Sequence, residues 1–161
     1  MAAEQKMAEI LLVEDDAGSA RLTELAIAES RVEAKLTVAR DGVEALSILR
    51  REGRHEGAPR PDLILLDLRL PKKGGREVLA EIRSDPEFRD IPVVVLSFSV
   101  YQEDMKRCYD LEANGYITKP IEAAQFVALM NSIEDVRRSL ACFTDNRSDK
   151  PTETKPVDAG A

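Results

Sequence analysis

Short apolar runs and longer stretches of helical period alternate along this chain. Ile10 to Val13 is the first apolar run, and the segment from about Ala17 to Ser30 carries Leu22, Leu25 and Ala26 at helical spacing, a predicted inward face. Lys35 to Ala39 alternates weakly and predicts a second strand. Asp41 then has the side chain of an N-cap, with Glu44 in the capping-box position, for a helix expected to turn Val43, Leu46 and Leu49 inward. The polar stretch from Arg51 to Pro61 predicts a loop.

Leu63 to Leu66 shows no polar alternation, which predicts a central strand covered on both faces. A helix is expected from about Gly75 to Arg83, packing through Val78, Leu79 and Ile82. Pro92 opens the next strand, Val93 to Leu96, where its missing N–H costs least. Tyr101 to Glu112 reads as a helix with Met105, Cys108 and Tyr109 on its apolar stripe. Tyr116 to Thr118 reads as a short strand. Glu122 to Leu140 reads as a long final helix striped by Phe126, Met130, Ile133, Val136 and Leu140. Five strands alternating with five helices predict an α/β fold with a doubly wound parallel sheet.

The residues that close these runs carry the chemistry. ILLVEDD ends on Glu14, Asp15 and Asp16, DLILLD on Asp67, VVVLS on Ser97, and GYITKP delivers Lys119. In an open α/β sheet the binding crevice lies outside the carboxyl ends of the strands, so these side chains are expected to converge there. Carboxylates about 4 Å apart cost roughly 4 kcal/mol per pair at an effective dielectric near 20, and a cation relieves that cost. Oxygen ligands without cysteine or histidine point to Mg²⁺, or Mn²⁺. Beside such an ion Asp67 can act as an acyl-phosphate nucleophile, with Lys119 and Ser97 each facing one of the phosphoryl oxygens.

Each residue also has a plainer reading. Asp15 and Asp16 could cap the following helix, Asp67 could be a loop carboxylate, and Lys119 a solvated charge before Pro120. It is their joint arrival at the ends of successive runs that favours the phosphoryl site. Lys72 and Lys73 read as solvent-facing loop charges. His55, the one histidine, sits in a polar loop and is assigned nothing. Cys108 and Cys142 lie outside any metal-binding spacing, and Cys108 is expected to pack.

Composition narrows the partners. At 161 residues, with 43% hydrophobic and 33% charged side chains, the sequence is that of an ordinary globular domain. A net charge of -7 argues against nonspecific nucleic-acid binding. No stretch is apolar enough to span a bilayer, and MAAEQKMAEI lacks the pattern of a signal peptide, so cytoplasm is the expected location. From about Thr144 the chain is polar and aperiodic, and is expected to be a disordered tail. No glycine-rich loop follows the first strand, which removes support for nucleotide binding.

LLVEDD, DLILLDLRLP, VVVLS and GYITKP together resemble the receiver domain of two-component response regulators, over roughly Glu9 to Leu140. The resemblance implies a flavodoxin-like, five-stranded sheet in the order 2-1-3-4-5. It sets residues 1–8 apart as an N-terminal extension, 9–140 as the receiver and 141–161 as the tail. It makes Glu14 and Asp15 the acidic metal pair and Asp67 the phosphoacceptor, with Arg69 lending a backbone carbonyl to the metal. Ser97 becomes the switch hydroxyl, Tyr116 the switch aromatic and Lys119 the site lysine, followed by a proline whose peptide bond is typically cis. Phosphorylation would then pull Ser97 toward Asp67 and move Tyr116 inward.

The stretches RREGRHEGAPRPD and LPKKGGREVLAEIRSDPEFRDIPVVVLS are similar to stand-alone regulators associated with phytochrome kinases. A histidine kinase, of phytochrome type, is therefore the expected donor. The expected output is contact with a downstream protein target or transfer in a phosphorelay, with no nucleic-acid or membrane partner. A homodimer through the face of the fourth helix, fifth strand and fifth helix is a further expectation. The chain is read as a signalling receiver and not an enzyme beyond its own phosphorylation and dephosphorylation. The alternatives are a metal-dependent small-molecule phosphatase or phosphotransferase, for which the sequence offers neither a second acid after Asp67 nor a cap, and a phosphorylation-independent receiver-like binding module.

The sequence departs from the family at two positions. Glu14 replaces the commoner aspartate and is one methylene longer. Phe98 follows the switch hydroxyl, where family members carry a small residue. Its ring either restricts access to the phosphoryl site or turns outward as a surface contact.

Overall fold

A computed structural model of the protein describes residues 7–133. The strands are β1 (Ala8–Val13), β2 (Ala34–Ala39), β3 (Leu63–Asp67), β4 (Val93–Ser97) and β5 (Gly115–Thr118). The helices are α1 (Ala17–Ser30), α2 (Gly42–Leu49), α3 (Gly75–Ser84) and α4 (Gln102–Asp110), followed by α5, described over 123–133. The strands form one five-stranded sheet in the order β2-β1-β3-β4-β5, every neighbouring pair parallel. This is the doubly wound α/β fold that the alternating periods predict. The chain divides between Phe126 and Val127 into two compact units, and the sheet lies in the first.

β3 and β4 are buried at every position, as strands covered on both faces must be. Leu11, Val13, Ile64, Leu66, Val93 and Val95 join one core cluster with Leu46, Leu49, Val78, Leu79 and Ile82 of α2 and α3. Their alternates Ile10, Leu12, Leu63, Leu65, Val94 and Leu96 point to the opposite face and are sealed as well. Truncating one of these, such as Leu65→Ala, costs about 2–5 kcal/mol by lost burial and the cavity left behind.

α3 docks through Val78, Leu79 and Ile82, as its spacing predicts. Elsewhere the docked face matches the expected one only in part, with Ala26, Leu46, Leu49 and Cys108 buried as expected. In α1 the buried residues are Thr23, Ala26 and Ile27, while Leu22 and Leu25 are 53% and 44% exposed. Apolar residues lie on two sides of this helix, so its periodicity does not choose between them, and the smaller Thr23 and Ala26 permit closer approach. In α2, Val43 is exposed and Ala45, Leu46, Ile48 and Leu49 go inward. In α4, Cys108 packs as expected, but Tyr109 faces out and Tyr101 is the N-cap, not the first helical residue. The stretch 51–61 contains a 3₁₀ turn at Gly53–His55. Of the expected final stripe, Phe126 and Ile133 are buried and Met130 is half-buried; Val136 and Leu140 lie outside the described residues, as does the polar tail.

Candidate functional site

Strand register brings the site together. Val13 pairs with Leu66, so Glu14 and Asp67 leave adjacent strands side by side. Asp67 pairs with Leu96, which sets Ser97 one step further on, and Ser97 pairs with Thr118, which precedes Lys119. The Lys119 N–H donates to the Ser97 carbonyl at 2.8 Å, fixing that last step. The peptide bond between Lys119 and Pro120 is cis.

The result is a cavity of about 390 Å³ lined by Glu14, Asp15, Asp16, Ser19, Asp67, Arg69, Ser97, Phe98, Ser99 and Lys119. One carboxylate oxygen from each of Glu14, Asp15 and Asp67 lies within 4.8 Å of the others. Glu14 and Asp67 are buried, and Asp15 is exposed. Lys119 Nζ is 2.5 Å from Glu14 Oε1 and 3.3 Å from Asp67 Oδ2. Burial pushes the Glu14 carboxyl above its ordinary 4.5, the Lys119 ammonium opposes this, and Asp67 adds to the rise. One ammonium is shared between two buried carboxylates, and the third points to solvent. These hard oxygen donors fit a small divalent cation that keeps several waters.

Asp16 stands apart from this cluster. Its carboxylate accepts from the Ser19 N–H at 2.7 Å and caps α1, while its own N–H donates to Glu14 Oε2 at 3.2 Å. Asp16 therefore orients Glu14 instead of joining the three-carboxylate group. The Arg69 N–H donates to Asp67 Oδ1 at 3.2 Å, which steadies the central carboxylate. Lys72 and Lys73 lie outside the site and pair with Asp41 and Glu81.

Ser97 is buried, and its Oγ accepts from the Ser99 N–H at 3.0 Å. Tyr116 is half-buried, and its hydroxyl donates to the Ser99 carbonyl at 3.0 Å. Phe98 is 67% exposed, yet it lines the cavity with its ring centroid 5.1 Å from Lys119 Nζ. Phe98 is thus an exposed residue at the mouth of the site.

Reasoning from sequence missed Gly75. A Cβ there would sit 2.4 Å from the Asp67 carbonyl oxygen and 2.7 Å from Leu68 Cα, so only glycine lets α3 start this close to the β3 terminus. It also missed Ser99 and Asp104, whose hydroxyl and carboxylate meet at 2.6 Å. The paired glycines of PKKGG are the one sequence signal that could have pointed to the close approach.

Comparison with known proteins gives the same picture. Residues 10–131 match the family model of the response regulator receiver domain. The response regulator Rcp1 of Synechocystis sp. is 44% identical over 125 residues, covering 78% of this chain and 85% of that protein. The crystal structure of the phosphorylated cyanobacterial phytochrome response regulator RcpA superposes with a TM-score of 0.69 at 46% identity, covering 91% of this chain and 100% of that one. The Mn²⁺-bound form of Rcp1 gives a TM-score of 0.66 at 43% identity, covering 79% of this chain and 91% of that one. A match of that extent, on a sheet of the expected strand order, makes this chain a member of the response regulator receiver domain family and a signalling protein of the two-component class.

Proposed function

We propose that the protein accepts a phosphoryl group from a histidine kinase onto Asp67 in a reaction that needs Mg²⁺ or Mn²⁺. The observation that carries this reading is the three-carboxylate group of Glu14, Asp15 and Asp67 with Lys119 Nζ 3.3 Å from Asp67 Oδ2. A bound divalent ion would neutralise charge on the carboxylates and on the arriving phosphoryl oxygens. Glu14, Asp15, Asp67 and the Arg69 carbonyl are the residues that would hold it.

An Asp67 carboxylate oxygen forms the new bond to phosphorus as the bond to the kinase imidazole nitrogen breaks. The electron pair leaves with that nitrogen. Lys119 supplies fixed positive charge beside the transferred group, and the Ser97 hydroxyl supplies a hydrogen-bond donor, so positioning and electrostatics do most of the catalysis. Ser97 and Tyr116 are the switch pair, and Phe98 controls access at the mouth.

The likeness to Rcp1 and RcpA supports a phytochrome-type kinase as donor. Among the described residues no helix is long and apolar enough to cross a membrane, and the cytoplasm is the proposed location of the protein. Output runs through contact with a downstream protein target, from a receiver spanning 9–140 flanked by the extension 1–8 and the tail 141–161. The exposed Val100, Tyr101 and Tyr109 support a homodimer that uses the fourth-helix side of the molecule, the commonest symmetric form being two-fold. Sedimentation that finds only monomer at tens of micromolar, with and without beryllofluoride, removes the dimer.

The central test is labelling by acetyl phosphate or a phosphorylated kinase in Mg²⁺. The wild type takes up one phosphoryl group, EDTA abolishes it, and Asp67→Asn takes up none. Wild-type labelling of Asp67→Asn overturns the assignment.

A further inference from the structure

Ser99 is tied down at each of its polar groups. Its N–H donates to Ser97 Oγ at 3.0 Å, and its carbonyl accepts from the Tyr116 hydroxyl at 3.0 Å. Its hydroxyl accepts from the Tyr101 N–H at 3.2 Å and donates to Asp104 Oδ2 at 2.6 Å. The other Asp104 oxygen, Oδ1, lies 3.1 Å from Arg76 Nη2 in the first turns of α3. A single chain of contacts therefore runs from α3 through the start of α4 to the residue that touches both Ser97 and Tyr116.

This arrangement decides what the Ser97 hydroxyl can do. A serine hydroxyl has one proton to give and two lone pairs to receive with. Among the described residues, its hydrogen bond is as acceptor, from the Ser99 N–H. That bond fixes the oxygen and leaves the proton to be donated elsewhere, which suits an anionic oxygen arriving at Asp67. Orientation of this kind depends on Ser99 staying put, and Ser99 sits in a half-buried loop whose neighbours Phe98 and Val100 are exposed. Its backbone is held by the bonds to Ser97 and Tyr116, and the side-chain bridge to Asp104, with Asp104 itself paired to the half-buried Arg76, ties it to α4 and α3 as well.

We infer that Ser99, held by Asp104 and Arg76, is a positioning residue: it orients the Ser97 hydroxyl as a donor to the phosphoryl group and ties Tyr116 to the same loop. The inference rests on the reading of Asp67 as phosphoacceptor and extends it to residues outside the carboxylate cluster. Because the bridge favours the arrangement that binds the phosphoryl group, breaking it taxes that binding by the cost of reordering the loop.

The test is titration of the full-length protein with beryllofluoride in Mg²⁺, followed by nuclear magnetic resonance with a fluorine label on the tyrosines. Ser99→Ala keeps the backbone N–H and carbonyl but removes the bridge. It is expected to weaken beryllofluoride binding about fivefold or more, within the usual span of coupling between linked sites, and to blunt the response of the Tyr116 signal. Ser99→Thr restores the hydroxyl and is expected to restore both. Asp104→Ala is expected to match Ser99→Ala, and the double variant to be no worse than either single one, since all break one chain. Wild-type affinity and a wild-type Tyr116 response in Ser99→Ala overturn the inference, as do additive losses in the double variant. If the wild type labels on Asp67 while Ser99→Ala behaves normally, the bridge fails alone. If the wild type neither labels nor binds beryllofluoride, the phosphoacceptor reading fails and takes the bridge with it.

Discussion

Lys119 Nζ lies 2.5 Å from Glu14 Oε1, and the two side chains are 6% and 1% exposed. An ammonium buried this deeply needs countercharge close by. The same ammonium stands 3.3 Å from Asp67 Oδ2, so it links the outgoing ends of β1, β3 and β5. That link has consequences for stability.

Burial holds the Glu14 carboxyl above its ordinary 4.5, so its contribution to stability is complete below about that pH and is lost as pH rises through the raised value. At pH 7.5 in EDTA, Glu14→Gln is expected to gain stability relative to the wild type, and the gain shrinks toward pH 4. Mg²⁺ is expected to stabilise the wild type by roughly 2.7 kcal/mol at a hundredfold excess over Kd, and Glu14→Gln by clearly less. Urea unfolding at the two pH values, with and without Mg²⁺, measures both. A gain for Glu14→Gln that is larger at pH 4 than at pH 7.5 contradicts the first expectation.

Gly75→Ala is expected to disturb Asp67 without emptying the core. Its Cβ would meet the Asp67 carbonyl oxygen at 2.4 Å, a backbone atom that cannot swing aside. The chain must shift by a sizeable fraction of an ångström, and misplacement by about 1 Å costs on the order of a hundredfold in rate. Labelling by acetyl phosphate should slow at least tenfold on that scale, while circular dichroism stays that of the folded protein. Unchanged labelling would show that the β3–α3 connection yields without moving the carboxylate.

Phe98→Ala is expected to shorten the life of the phosphoryl group several-fold. The ring lies over Lys119 at 5.1 Å and borders the cavity, and on the proposed reading it would hinder the water that must approach phosphorus opposite the Asp67 oxygen. Arg69 is also on the cavity wall, where on the same reading it would either add to this screen or attract the phosphoryl oxygens. Following phosphate loss from purified phosphoprotein in saturating Mg²⁺ decides the matter. An unchanged lifetime leaves Phe98 as a surface contact only.

Asp41 caps α2 by accepting from the Glu44 N–H at 2.7 Å, and Lys72 stands 3.4 Å from its other oxygen. Its carboxyl is held below the ordinary 3.8, chiefly by that backbone bond. The stability it contributes is therefore present above about pH 3.8 and is lost as pH falls through the lower folded value. Asp41→Ala should cost about 1 kcal/mol at neutral pH, the usual worth of an N-cap. Asp41→Asn should cost less and lose the part of the acid sensitivity that Asp41 supplies. Equal acid sensitivity in wild type and Asp41→Asn, by urea unfolding, would contradict it.

Local chemistry in the sequence decided the elements and the site's composition. β3 and β4 are legible because a strand sealed on both faces must be apolar at every position, and the residues closing such runs necessarily lie along one edge of the sheet. Asp67 and Ser97 could be named for that reason, and Glu14, Asp15 and Lys119 because they follow the runs of β1 and β5. The Asp41 cap was also legible, being a contact between neighbours, although Glu44 reciprocates to the Arg40 N–H and not to that of Asp41.

Tertiary structure decided what periodicity leaves open. Which side of α1 and α2 docks depends on how closely each helix can approach the sheet, so Leu22 and Val43 ended outside while Thr23 and Ala45 went in. The division of labour between Asp15 and Asp16 turned on which carboxylate the first turn of α1 captured. Gly75 matters through a clash with backbone seven residues away or more, and Arg76 reaches Asp104 across 28 residues of sequence. Such contacts leave no local pattern, because neither partner's own neighbours constrain it. They exist only once β3 and β4 lie side by side and bring α3 and α4 within reach.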